Sequence, residues 1–235
     1  MVSGPGWDLA LAGGGVAHAR FSLASDGDFR IDADPESLAA RRRRLVDRPW
    51  VWLTQVHGAG VVTVDPATAA AVAGREGDAL VTTSAAIAVS VQTADCGPVA
   101  LADRRRGVVA AVHAGWRGVE AGVLEATVAT MRDLGAGEIV GWLGPCIHPE
   151  CYEFGADDLV RLERRLGPAV RARTGAGAPA FDLPAAISSC LASLGVAVAV
   201  EPTCTACGPP QRYFSHRARA DTGRHALVVW RDDRP

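Results

Sequence analysis

Residues 78–118 read DALVTTSAAIAVSVQTADCGPVALADRRRGVVAAVHAGWRG, and the fold turns on how this stretch divides. Four short apolar runs stand in it, at 78–82, 87–93, 98–103 and 107–113, most of them bounded by Asp, Gly, Pro or Arg. Runs of this length between turn formers read as strands. A parallel βαβ unit needs roughly a dozen or more residues between its strands, and these gaps are far shorter. Antiparallel or mixed pairing is therefore expected.

Further strand-like runs lie outward of this block, at 50–56, 61–64, 138–144, 196–201 and 224–230. Helical periods occupy about 34–47, 116–134, 155–166 and 183–194. The first helix opens with Asp34 as N-cap and Pro35 at the first helical position, where its missing N–H costs nothing. Segments 168–181 and 203–212 read as loops, neither long enough to link domains. The expectation is an α+β fold of mixed β-sheets flanked by helices, forming one domain over residues 1–235. No internal repeat or low-complexity tract interrupts it. The run Arg41–Arg44 reads as the solvated face of the first helix rather than a nucleic-acid patch.

Composition narrows the chemistry. With 49% hydrophobic and 21% charged residues the chain reads as globular, and a net charge of −2 gives no pull toward nucleic acid or an anionic membrane. All 24 basic residues are arginine, which excludes a Schiff-base lysine and the lysine of a P-loop. The first twenty residues lack the basic start and apolar core of a signal peptide, and no apolar run reaches the ~18 residues of a membrane span. A cytoplasmic protein is expected, with Cys96, Cys146, Cys151, Cys190, Cys204 and Cys207 reduced.

Three residues stand where strands meet turns. His57 closes TQVHG, Cys96 sits in TADCGP, and His113 ends the run before AGWRG. Each alone has a plain structural reading, a polar residue at a sheet edge or a small buried thiol. Together they make a two-histidine, one-cysteine set separated by 39 and 17 positions, too far apart for a zinc knuckle and suited to strands that converge in space. Such a set suits Zn²⁺ with a fourth position open, and copper takes the same ligands. An alternative makes Cys96 a nucleophile with His113 as its base, acting on amides. Asp95 ends an apolar run, where a carboxylate needs partners. The amides of AGWRG and the fork of Arg117 could hold an anion, as could the loop carrying His216 and Arg217.

A second cysteine group is the rival metal site. Cys146, His148 and Cys151 stand in GPCIHPEC, and Cys204 and Cys207 form a Cys-x-x-Cys pair. Their half-motifs are irregular, so a structural zinc and simple burial both remain open.

TQVHG, DALVT, TADCGPVALAD, AAVHAGWRGV, LGPCIHPECYEFG and FSHR with TGR follow in order over residues 54–230. This series resembles the YfiH/laccase-domain family, polyphenol-oxidase-like proteins that include relatives of the vertebrate enzyme FAMIN. The resemblance implies a YfiH-like α+β fold, akin to the catalytic domain of a bacterial cytotoxic necrotising factor. It also implies a metal on His57, Cys96 and His113.

The activity implied is zinc-dependent phosphorolysis of adenosine, inosine and methylthioadenosine, with adenosine deamination beside it. Nucleoside and phosphate would be the partners, with Asp78 or Asp95 as acid or orienting group. The family also implies an alternative, a peptidoglycan-editing hydrolase that removes a wrong amino acid from a muropeptide precursor; a non-catalytic, metal-stabilised interaction module is a further reading of the ligand set. Copper-dependent phenol oxidation is disfavoured, because one such site lacks the several coppers that four-electron reduction of oxygen needs.

The chain departs from the family pattern twice. An opening TR.GG.S-like segment is replaced by LAGGGVAHARFSLASDGD, where Arg20 is the only candidate arginine. GPCIHPECYEFG replaces the more usual GPAIG…CYEV, adding Cys146 and His148.

Overall fold

The apolar runs become strands of two sheets stacked face to face. The computed structural model describes residues 4–209 and 211–233. One sheet orders its five strands β1 (Gly6–Ala10), β2 (Val16–Phe21), β13 (His225–Asp232), β6 (Ala88–Thr93) and β3 (Trp50–Val51). The other orders six: β12 (Ala197–Val200), β9 (Ile139–Leu143), β7 (Gly97–Asp103), β8 (Val109–Ala114), β5 (Ala79–Thr82) and β4 (Val61–Thr63). Pairing is mixed in both. β7 runs antiparallel to β8 and β9, while β4 lies parallel to β5 and β3 parallel to β6.

Side-chain alternation explains the layering. Leu80, Ala100, Ala102, Val109 and Ala111 point into the space between the sheets, meeting Phe21, Val89, Val91, Leu227 and Val229 of the other sheet. The alternate residues of the six-stranded sheet, among them Val81, Val99, Leu101, Ala110 and Val112, face a layer of helices. These strands are buried on both sides, which is why they read as unbroken apolar runs rather than alternating ones. The helices on that face are α3 (Trp116–Ala121), α4 (Val123–Asp133), α5 (Ala156–Leu166) and α6 (Leu183–Ser193). On the far side of the five-stranded sheet, α1 (Pro35–Leu45) packs Leu38 and Leu45 with Ala88, Ala226 and Val228. Two short helices, α2 (Ala69–Val72) and α7 (His216–Arg219), lie in connections. Among the described residues no helix is long and apolar enough to cross a membrane.

The cap of α1 is as read, with Asp34 accepting the Ser37 amide at 2.9 Å. Other readings need correction. The helical period at 116–134 is two helices, because Gly122 at φ 93° breaks the turn with a left-handed residue that other side chains disfavour. The run 50–56 is strand only at Trp50–Val51, and its remainder leaves the sheet edge. The loop 168–181 contains a small hairpin, β10 (Arg171–Arg173) with β11 (Pro179–Phe181). The β1–β2 hairpin has no counterpart in the strand-like runs read from sequence.

Candidate active site

Between Thr93 and Gly97 the chain leaves the five-stranded sheet and enters the six-stranded one, and Asp95 and Cys96 sit at that crossing. In the β7–β8 ladder Pro98 opposes His113 and Gly97 opposes Ala114, so Cys96 emerges beside the end of β8. His57 arrives from the connection between β3 and β4. The ligand atoms of His57, Cys96 and His113 all lie within 4.8 Å of one another. His57 Nε2 is 3.9 Å from Cys96 Sγ, and the two imidazoles meet edge to face with centroids 4.7 Å apart. Gly115 leaves room for this approach: a Cβ there would stand 3.0 Å from Cys96 Sγ and 3.1 Å from His57 Cδ2.

Two of the residues that build this corner hold backbone conformations that side chains disfavour, His57 at φ 58° and Asp95 at φ 92°. Carboxylates hold both in place. Asp78, fully buried, accepts the amides of His57 at 3.0 Å and Gly58 at 2.8 Å, and also the Nδ1–H of His113 at 2.8 Å. Asp95 accepts the Thr205 hydroxyl and the Arg217 amide, both at 2.7 Å. Both carboxylates are committed to donors within the fold, and neither lines the cavity described below.

Electrostatics follow from this wiring. Burial works against ionisation of Cys96, but the charge and hydrogen bond of His113, helped by His57, outweigh it and bring the thiol down to about 6. Burial also works against a charged His113, yet Cys96 and Asp78 raise it to about 9. Each group thus favours the charged form of the other; the thiolate is the form that ligates metal, and a metal would take the place of the proton on His113 Nε2. With Nδ1 committed to Asp78, His113 turns Nε2 toward the other two ligands, the arrangement seen where a carboxylate orients a metal-binding imidazole. The residues fit a metal with an N₂S donor set.

A cavity of about 640 Å³ opens over the three groups. Its walls include Leu53, Gln55, Gln92 and Ile31, and its rim carries Arg30, His216 and Arg224. Gln55 is fixed by a reciprocal pair: its Nε2 donates to the Gln92 carbonyl and its Oε1 accepts the Gln92 amide, each at 2.7 Å. Asp28 joins the rim segments, accepting from Arg30 Nε at 2.8 Å and from the Arg224 amide at 2.9 Å.

Of the anion-binding candidates, His216 lines this cavity. Arg117 and Arg217 are exposed outside its lining, their guanidinium groups over the rings of Trp116 and Tyr152. Arg20 bonds both oxygens of Asp8 across the β1–β2 hairpin. Sequence reasoning missed Arg30 entirely, and Arg224 was visible only within the TGR signature.

Residues 12–232 match the family described as multi-copper polyphenol oxidoreductase laccase, and this chain belongs to that family. Among its relatives, Purine nucleoside phosphorylase Rv2149c of Mycobacterium tuberculosis is 41% identical over 226 residues, covering 92% of this chain and 88% of that one. Purine nucleoside phosphorylase SCO2081 of Streptomyces coelicolor is 43% identical over 198 residues, covering 83% and 80%. Among solved structures, Neisseria meningitidis protein NMB0706 superposes with a TM-score of 0.82 at 28% identity over 97% of this chain and 99% of that one. YlmD from Geobacillus stearothermophilus gives 0.80 at 27% identity, over 97% and 100%.

Proposed function

We propose that this chain is a zinc-dependent purine nucleoside phosphorylase acting on adenosine, inosine and methylthioadenosine. The observation that carries the reading is a cavity with His57, Cys96 and His113 at its base and two arginines and a histidine at its rim. A volume of about 640 Å³ falls within the ~300–1,000 Å³ usual for small-molecule sites. The names of the relatives point the same way.

Phosphorolysis forms a bond from a phosphate oxygen to the ribose C1′ and breaks the bond from C1′ to the purine nitrogen. The departing electron pair stays on the purine, which takes up a proton. Charge therefore moves from phosphate toward the base, and the ribose passes through an oxocarbenium-like state. His57, Cys96 and His113 would hold Zn²⁺, whose open position supplies a Lewis acid for an oxygen ligand. Arg30, Arg224 and His216 would bind and orient phosphate at the rim, where a rigid guanidinium fork suits its oxygens. Leu53 and Ile31 offer apolar surface to the purine face. Gln55 keeps the His57 loop against β6, so the base of the cavity is formed before substrate enters.

The test is direct. Purified protein, with its metal measured by elemental analysis, is incubated with each nucleoside with and without phosphate. Free base and ribose 1-phosphate should appear only with phosphate, and Cys96→Ala should lose the metal of this site and turnover together. Inosine formed from adenosine in both conditions would add deamination as a second activity of the same site. Metal without phosphate-dependent base release would overturn the proposal.

A further inference from the structure

A second group of ligating side chains lies apart from the cavity. Glu150, Cys151, Cys204 and Cys207 bring one ligand atom each within 4.8 Å of the other three. Two come from the short turn Pro149–Cys151 and two from the irregular segment after β12. We propose that these four residues bind one Zn²⁺ as a closed structural site, distinct from the three-ligand centre.

The donor set carries the identification. Three thiols and one carboxylate on two loops make a four-ligand, sulfur-rich shell that closes a tetrahedron and leaves no position for substrate, as in structural zinc sites, with Glu150 taking the place of the fourth Cys or His usual there. Soft sulfur donors disfavour Mg²⁺ and Ca²⁺. Zn–S bonds of ~2.3 Å place tetrahedral ligand atoms about 3.8 Å apart, so closure around an ion needs shifts of an ångström or less. Cys207 Sγ already stands 3.4 Å from Glu150 Oε1. The Cys204–Cys207 turn is closed by the Gly208 amide on the Cys204 carbonyl at 2.9 Å. The His148 amide points at Cys204 Sγ from 3.3 Å, an N–H to sulfur contact that favours a ligating thiolate. A disulfide explains the group less well, since pairing any two of the three thiols leaves the third beside a carboxylate with no function.

The site would fasten one part of the fold to another. Thr205 lies between the two cysteines of the Cys-x-x-Cys pair. Its hydroxyl donates to Asp95, the residue held at φ 92° next to Cys96, and its amide donates to the Cys146 carbonyl at 2.9 Å. Regular secondary structure is sparse here; the stretch leading into the Pro149–Cys151 turn meets the second segment through one isolated bridge, Cys146 with Cys204. A metal joining them would therefore set the position of the loop that supports the Asp95 turn.

The experiment uses the full chain purified under reducing conditions without chelator. Cys96→Ala removes a ligand of the cavity site, so its remaining zinc reports the second site alone. About one zinc per chain is expected in Cys96→Ala, and its loss in Cys96→Ala combined with Cys151→Ser and Cys207→Ser. Cobalt offered to chelator-treated Cys96→Ala should give an intense sulfur-to-cobalt charge-transfer band with no contribution from Cys96. This readout decides the matter even where the triple variant does not fold. Zinc-free Cys96→Ala protein without that band overturns the proposal. So does thiol titration in denaturant, after metal removal, that finds a disulfide in the freshly isolated chain.

Discussion

One oxygen of Asp78, Oδ1, takes both the Nδ1–H of His113 at 2.8 Å and the amide of His57 at 3.0 Å. A loop and a strand end that bring candidate ligands to the cavity are thereby referred to a single atom. Burial opposes a charged Asp78, but the His113 and Gly58 hydrogen bonds hold its carboxyl below the usual range.

Asp78→Asn keeps the volume but turns one acceptor oxygen into a donor. It leaves either His113 Nδ1 together with the His57 amide, or the Gly58 amide, facing an N–H. Metal affinity, measured by chelator competition, should fall about 10- to 100-fold. Unchanged affinity would show that Asp78 supports only the backbone.

Gly115→Ala tests the close approach without removing any ligand. Gly115 sits at φ −73°, so alanine carries no backbone strain, yet its Cβ would press on Cys96 Sγ and His57 Cδ2. Overpacking of this kind costs about 1–3 kcal/mol. Turnover should drop at least about tenfold, an effect of about 1.4 kcal/mol on the barrier, while the protein still folds cooperatively. Wild-type turnover in this variant would place the reacting atoms elsewhere.

Arg30→Ala separates phosphate binding from chemistry. Loss of one charge-assisted contact at a half-exposed rim should raise KM for phosphate about tenfold. The nucleoside KM should move little. If the nucleoside KM rises instead and the phosphate KM does not, the rim has been assigned to the wrong substrate.

His225 makes acid stability testable away from the site. It is fully buried, and its Nε2 accepts the Phe214 amide at 2.7 Å. Burial is the main cause that pushes its ionisation from 6.5 down to about 4, and the Phe214 amide donated to Nε2 favours the same neutral form. The unfolded chain binds the proton first, so this contribution is complete above pH 6.5 and is lost as pH falls toward 4. Between pH 7 and 5 the loss should be about 2 kcal/mol. Urea unfolding of wild type against His225→Phe should show that difference in pH slope. Parallel slopes would remove His225 as the cause.

The strands around residues 78–113 were legible because burial on both faces leaves unbroken apolar runs, and short gaps exclude crossover helices. The β1–β2 hairpin was not, because Ala17 and Ala19 supply its inward face and alanine carries little strand signal. The single helical period read over 116–134 divides at Gly122, whose φ of 93° shows the break. At the site, His57, Cys96 and His113 could be named because each stands where an apolar run of the sequence meets a turn, although only His113 lies in a strand. Arg30 could not, because it reaches the rim through Asp28, which also binds the Arg224 amide 196 positions further along the chain.

β13 lies between β2 and β6, pairing Leu227 with Phe21 on one side and Val91 on the other. During synthesis the five-stranded sheet therefore waits for some of the last residues described, with two strand edges open until they emerge. Long-range pairing of this kind folds slowly, and open edges invite association with other chains. Nascent chains halted before Leu227 should depend on chaperones far more than the finished protein does.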